Sequence, residues 1–142
     1  GGVHVAHPEH FELCSWGLEL RKGHESLPIM KTDAPAVLKH GVTLGETTWR
    51  AFLGEIGWRA ADVDKVICHQ VGHANKETIL KAIGVPPDRD YSTYPFLGNM
   101  GTVSLPITAA LADERGFLKR GDRVGMLGIG SGLNCLMLGA EW

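Results

Sequence analysis

Cysteine is scarce in this chain of 142 residues. Cys14, Cys68 and Cys135 are too few and too scattered for a disulfide framework, and no Cys-x-x-Cys pair occurs. That excludes a stapled secreted mini-domain and points to a reducing, cytoplasmic setting. Excess charge of one sign is missing too, since 14 Lys and Arg against 16 Asp and Glu leave a formal net charge of −2. Such a balance leaves no basic footprint for a nucleic-acid partner. No uninterrupted apolar run reaches the roughly 18 residues that a membrane span needs. The first residues, GGVHVAHPEH, have neither the positive start nor the apolar core of a signal peptide, and read as a chain entered midway through a strand. No linker, repeat or charge block divides the chain, so residues 1–142 read as one unit.

What is present is an ordinary globular balance, 44% hydrophobic and 21% charged, enough for one domain with a core. Glycine is the outlier at 19 residues, many of them in short clusters such as GNMG and GIGSG rather than in a low-complexity tract. The spacing predicts a helix over 32–57, capped by Thr32 or Asp33, with Pro35 tolerated in the first turn. Leu38, Val42, Trp49, Phe52 and Ile56 form its expected inner stripe. Gly41 and Gly45 in that helix mark either a close approach of another element or mere tolerance. Val66, Ile67 and Cys68 read as a buried strand ending at His69, followed by a helix over 73–83 with Ile79, Leu80 and Ile83 inward. Residues 91–101 are expected to form a short strand and loop. A third helix is expected from Thr102 to before Gly116, with Val103, Ile107, Ala110 and Leu111 buried. The runs RVGMLGI and LNCLMLGA, joined by GSG, predict an antiparallel hairpin buried on both faces. Strand, helix, strand, helix and a closing hairpin amount to an α/β layered domain.

The stretch ICHQVGH at 67–73 carries the candidate chemistry. A metal is disfavoured. His69 and His73 are four apart, but a strand end and a helix start do not share one helical face, and Gln70 stands where a zinc motif would place a glutamate. His4, His7 and His10 read as surface residues interrupted by Pro8. Cys68 activated by the next residue of a strand is geometrically poor, because neighbouring strand residues face opposite ways. It reads as a small buried hydrophobe, as do Cys14 and Cys135. His69 remains, either a hydrogen-bonded core histidine or a ligand group at the carboxyl end of a strand. Asn99, between Gly98 and Gly101, suits a donor aimed at a small ligand or an ordinary turn. GIGSG offers backbone N–H groups for an oxyanion site.

The pair His69-Gln70, the pair Gly98-Asn99 thirty positions on, and the turn Gly130-Ser131-Gly132 together resemble the second half of a thiolase-superfamily condensing enzyme of the β-ketoacyl synthase III type. The likeness covers residues 60–142 well. Within that family, HQV, GIGSGLNC and CSWGLE…MKTDAPAVLKHGV…TTW resemble the synthases that begin head-to-head long-chain olefin biosynthesis. The resemblance implies the C-terminal half of a layered α-β-α-β-α fold with a mixed sheet. It implies non-decarboxylative Claisen condensation of two fatty acyl-CoA molecules to a β-keto acid. Coenzyme A thioesters are then the substrates, with no cofactor and no metal. In that scheme His69 and Asn99 stabilise an enolate, and the Ser131 N–H helps hold an oxyanion. The nucleophilic cysteine belongs to the missing N-terminal half, from the same or a separate chain, and the complete enzyme would be a homodimer. Gly72 and Ala74 stand where carrier-protein-dependent relatives have an asparagine and an arginine. Two other readings stay open: a decarboxylating synthase III or acyltransferase using malonyl thioesters, and a non-catalytic partner subunit.

Overall fold

The computed structural model describes residues 1–20 and 26–142. Strand β1 (Gly2–Ala6) is followed by the hairpin of β2 (Cys14–Leu20) and β3 (Ser26–Thr32), helix α1 (Ala34–Ile56), strand β4 (Lys65–Cys68) and helix α2 (His73–Ile83). A single helical turn α3 (Tyr94–Leu97), helix α4 (Ser104–Glu114) and strands β5 (Arg123–Gly130) and β6 (Asn134–Glu141) complete it. The main sheet has the order β1-β6-β5-β4, with β4 and β5 parallel and the other pairs antiparallel. This is the expected mixed sheet of the thiolase-like α/β fold, closing in an antiparallel hairpin.

Helices cover both faces of the sheet. Leu44, Trp49 and Phe52 of α1 and Leu80 and Ile83 of α2 pack on Val66, Cys68, Leu127, Cys135 and Met137. On the opposite face Ala109 and Ala112 of α4 meet Ile67 and Val124. The alternation Val66, Ile67, Cys68 therefore feeds two cores, as a strand buried on both faces must.

Helix α1 begins where the sequence predicts it, and Asp33 is the cap, its carboxylate accepting the Ala36 N–H at 3.0 Å. Trp49 and Phe52 of the expected stripe are buried, but Leu38, Val42 and Ile56 are only half-buried. Gly41, Leu44, Gly45 and Thr48 hold the centre instead. A Cβ on Gly45 would lie 2.5 Å from Ile79 Cδ1, so the close approach of α1 and α2 accounts for this glycine.

Three expectations are corrected. Residues 91–101 form no strand: one bridge pairs Asp90 with Val66, and α3 follows. The Gln70 side chain takes the N–H groups of Thr93 and Tyr94, so a ladder has no use of them. Helix α4 buries Ser104, Thr108, Ala109 and Ala112, whereas Val103 and Ile107 are 54% and 36% exposed and Ala110 is exposed. Its inward face combines the hydroxyls of Ser104 and Thr108 with the small apolar Ala109 and Ala112 rather than the larger Val103 and Ile107. Strand β6 is covered on one side only. Cys135 and Met137 are buried, while Leu136 and Leu138 are 46% and 42% exposed, beyond the reach of α4, which packs on β4 and β5. Among the described residues no helix is long and apolar enough to cross a membrane.

Candidate active site

His69 stands one residue past the carboxyl end of β4, and its N–H donates to the Leu127 carbonyl of β5 at 2.8 Å. Ser131 stands one residue past the carboxyl end of the parallel neighbour β5. The two thus follow the same end of adjacent strands, where open α/β sheets place ligand groups. Asn99 lies in the loop between α3 and α4, reached through Gly98 at φ +68° and left through Gly101 at φ +61°. Both glycines occupy the left-handed region that a side chain would strain. Asn99 Oδ1 accepts the Gly101 N–H at 3.0 Å, and its side-chain Nδ2 has no partner among the described residues. No hydrogen bond joins His69, Asn99 and Ser131 directly among the described residues. A chain of hydrogen bonds instead links the neighbours of His69 and Asn99.

That chain starts at Gln70, which is 3% exposed. Its Nε2 donates to the Cys68 carbonyl at 2.6 Å, and its Oε1 accepts from Thr93 N at 2.9 Å and Tyr94 N at 3.0 Å. The Thr93 and Thr108 hydroxyls are 2.6 Å apart, and Thr108 Oγ1 donates to the Ser104 carbonyl at 2.6 Å. Ser104 Oγ then accepts the Met100 N–H at 2.8 Å, next to Asn99.

A second network lies beneath His69. The Asp90 side chain is wholly buried; its Oδ1 accepts the Cys68 N–H at 3.3 Å, and its Oδ2 lies 2.9 Å from Lys76 Nζ. Ser92 Oγ accepts from Lys76 at 2.8 Å and donates to Asp90 at 2.9 Å. His69, Gln70, Lys76, Asp90 and Tyr94 border one cavity of about 10 Å³, the size of a single water. Residue type alone gave no reason to choose Lys76, Asp90, Thr93 or Thr108. Their partners are distant in sequence.

Burial lowers the His69 pKa below its ordinary value and so favours the neutral imidazole, which carries one N–H donor. Burial, reinforced by the Asp90 carboxylate, pushes the Cys68 thiol well above its ordinary value. Burial raises that of Cys135 as well. Neither is a poised nucleophile. Cys14 is half-buried, and the Ser131 hydroxyl donates to its Sγ at 3.3 Å, tying the β2 strand to the glycine-rich turn. His73 opens α2, with Nδ1 3.1 Å from the Tyr94 hydroxyl and Nε2 3.0 Å from Glu77. Among the described residues one trio could hold a metal, His7, Glu9 and His10, whose ligand atoms lie within 4.8 Å of one another. It sits on the turn after β1 and includes no residue of the His69 stretch. A groove of about 420 Å³, lined mainly by Ala34, Pro35, Val37, Leu38 and Val71, runs between the first turns of α1 and α2.

Residues 53–142 match the family model described as 3-oxoacyl-[acyl-carrier-protein (ACP)] synthase III C terminal. The chain belongs to this synthase III family. Over its whole length it is 52% identical to an acyl-CoA:acyl-CoA alkyltransferase of Shewanella oneidensis, of which it covers 41%. It is 36% identical over 90 residues to β-ketoacyl-[acyl-carrier-protein] synthase III 3 of Streptomyces coelicolor, covering 63% of this chain and 27% of that protein. A solved Xanthomonas campestris OleA variant with bound lauric acid and lauroyl-CoA superposes with a TM-score of 0.86 at 34% identity, over 100% of this chain and 40% of that one. The chain spans about two fifths of the length of the alkyltransferase that it matches end to end. Within the synthase III family its likeness to the alkyltransferase exceeds that to the carrier-protein synthase in both identity and extent.

Proposed function

We propose that this chain supplies the histidine and asparagine part of a condensing site that joins two fatty acyl-CoA molecules into a β-keto acid without decarboxylation. This is the opening step of long-chain olefin biosynthesis. The observation that carries the reading is the 52% identity, over the whole chain, to a protein named for acyl-CoA:acyl-CoA alkyl transfer.

A cysteine thiolate from the portion of the fold outside this chain accepts the first acyl group and releases coenzyme A. The second acyl-CoA loses an α-proton, and its enolate attacks the acyl-enzyme carbonyl. The tetrahedral adduct expels the cysteine thiolate, and water then hydrolyses the β-ketoacyl-CoA to the β-keto acid and the second coenzyme A. Neutral His69 and the unpartnered Asn99 amide donate hydrogen bonds to the enolate oxygen, and the Ser131 N–H to the tetrahedral oxyanion. The apolar groove beside Val71 suits the arm of the thioester. Coenzyme A thioesters are substrates, no cofactor or metal takes part, and the complete enzyme acts as a cytoplasmic homodimer.

The test joins the chain to an N-terminal portion of the same fold and supplies fatty acyl-CoA alone. Formation of β-keto acid, seen by mass spectrometry, supports the reading, with His69→Ala lowering the rate on the order of 10²–10³-fold. The likeness to a carrier-protein synthase III favours a second reading, decarboxylating condensation with a malonyl thioester. Product formed only with malonyl donor and CO₂ release would establish that one instead. Turnover by the 142-residue chain alone would refute the assignment of the nucleophile to a missing portion.

A further inference from the structure

The inner face of α4 carries two hydroxyls, those of Ser104 and Thr108, beside its alanines. Thr93, Ser104 and Thr108 are 0% exposed and Gln70 3%, yet every buried side-chain N and O among the described residues has a partner. Valine or alanine could fill such positions at similar volume, and replacing both partners of a buried hydrogen bond by apolar groups of the same shape is nearly neutral for stability. We propose that the chain Gln70–Thr93–Thr108–Ser104 is a positioning device that sets the separation of His69 from Asn99 for the reacting thioester. The proposal rests on the roles of His69 and Asn99 given above.

The chain has a direction. A hydroxyl carries one proton, and that of Thr108 goes to the Ser104 carbonyl at 2.6 Å. Thr93 must therefore donate to Thr108 across their 2.6 Å contact. Ser104 Oγ then holds the Met100 N–H, one residue from Asn99, at 2.8 Å. At the other end Gln70, one residue from His69, grips two backbone N–H groups and the Cys68 carbonyl. Each joint is a hydrogen bond of 2.6–3.0 Å made between buried or half-buried residues, and threonine is stiff at χ1. The loop bearing Asn99 is otherwise exposed, so this chain is its tie to the β4 end. A misplacement of about 1 Å in a catalytic geometry costs on the order of 10²-fold in rate.

The experiment uses the complete enzyme, this chain joined to its N-terminal portion, with the double variant Thr93→Val/Thr108→Val. Removing both hydroxyls leaves no buried donor of the pair without an acceptor, so the fold persists. We expect condensation to fall at least tenfold in kcat with KM within about twofold, while the first acyl transfer, read as the burst of coenzyme A, is unchanged. Thr93→Ser/Thr108→Ser restores the hydroxyls and should restore condensation. Amide hydrogen exchange, which needs no turnover, should rise at residues 69–70 and 99–101 and stay at wild-type rates in α1 and β6. Condensation within twofold of wild type, or unchanged local exchange, overturns the proposal. If the wild-type enzyme does not condense acyl-CoA but exchange still rises locally, the substrate reading fails and the positioning chain stands.

Discussion

Lys76→Met tests the ion pair beneath His69. Asp90 has a fully buried carboxylate, 2.9 Å from a Lys76 ammonium whose side chain is 21% exposed. At an effective dielectric of about 20, two unit charges at that distance attract by about 6 kcal/mol. The cost of drying both ions offsets much of this, so the pair as a whole contributes little against an apolar pair of equal size. Removing one partner is different. Asp90 would keep only the Ser92 hydroxyl and the Cys68 N–H, and a buried charge stripped of its counter-ion costs about 3–5 kcal/mol. Lys76→Met should lie near the lower end of that range, since water already reaches the site. Asp90→Leu should cost less, about 1–2 kcal/mol, because the lysine can swing its ammonium to solvent. The double variant Lys76→Met/Asp90→Leu should return to within about 1 kcal/mol of wild type. Urea unfolding of the assembled protein, followed by circular dichroism, gives the three values and their coupling. A Lys76→Met loss below 1 kcal/mol, or a double variant as unstable as the sum of the singles, would refute the reasoning.

His69 has a pKa lowered by burial, so its contribution to stability is fully present above the unfolded-state value near 6.5 and is lost as pH falls through the lower folded value. The acidic limb of condensation should likewise lie below pH 6.5, and a pH–rate profile with that limb above 6.5 would contradict it. Gly45→Ala gains helix propensity of about 1 kcal/mol but sets a Cβ 2.5 Å from Ile79 Cδ1, the rotatable tip of a half-buried side chain, so part of the gain should be cancelled and Ile79→Val should restore it. Thermal melts of Gly45→Ala with and without Ile79→Val check this, and equal melting points would count against the close approach. Cys68 and Cys135 are buried, with thiol pKa values raised, so brief alkylation of the native chain should label Cys14 alone. Mass mapping that finds Cys68 labelled would show that the β4 core opens readily.

Local pattern sufficed for α1, β4, α2 and the β5–β6 hairpin, because periodicity, the Asp33 cap and apolar runs act over a few residues. The first residues read as strand and form β1, but the β2–β3 hairpin was not legible. Trp16 and Met30 pair side by side yet remain 73% and 68% exposed, so no buried face announces that hairpin. Helix α4 misled in the opposite sense. Val103 and Ile107 look like a core stripe, but they face outward and the hydroxyls of Ser104 and Thr108 face in. Apolar spacing measures how a helix could be buried, whereas here the buried face also holds polar groups that find partners only in the folded chain, beside Ala109 and Ala112.

By itself the sequence determined the α/β class, the strand end that carries His69, the glycines that free Asn99, and the exclusion of Cys68 as a poised nucleophile. These follow from residue type and from short-range order. Only the tertiary structure decided what holds the candidates in place. The Cys68–Asp90 contact spans 22 positions, Gln70–Thr93 spans 23 and Thr93–Thr108 spans 15. No local propensity encodes such pairs, because a buried hydroxyl or carboxylate finds its partner only after the sheet and α4 have closed around it.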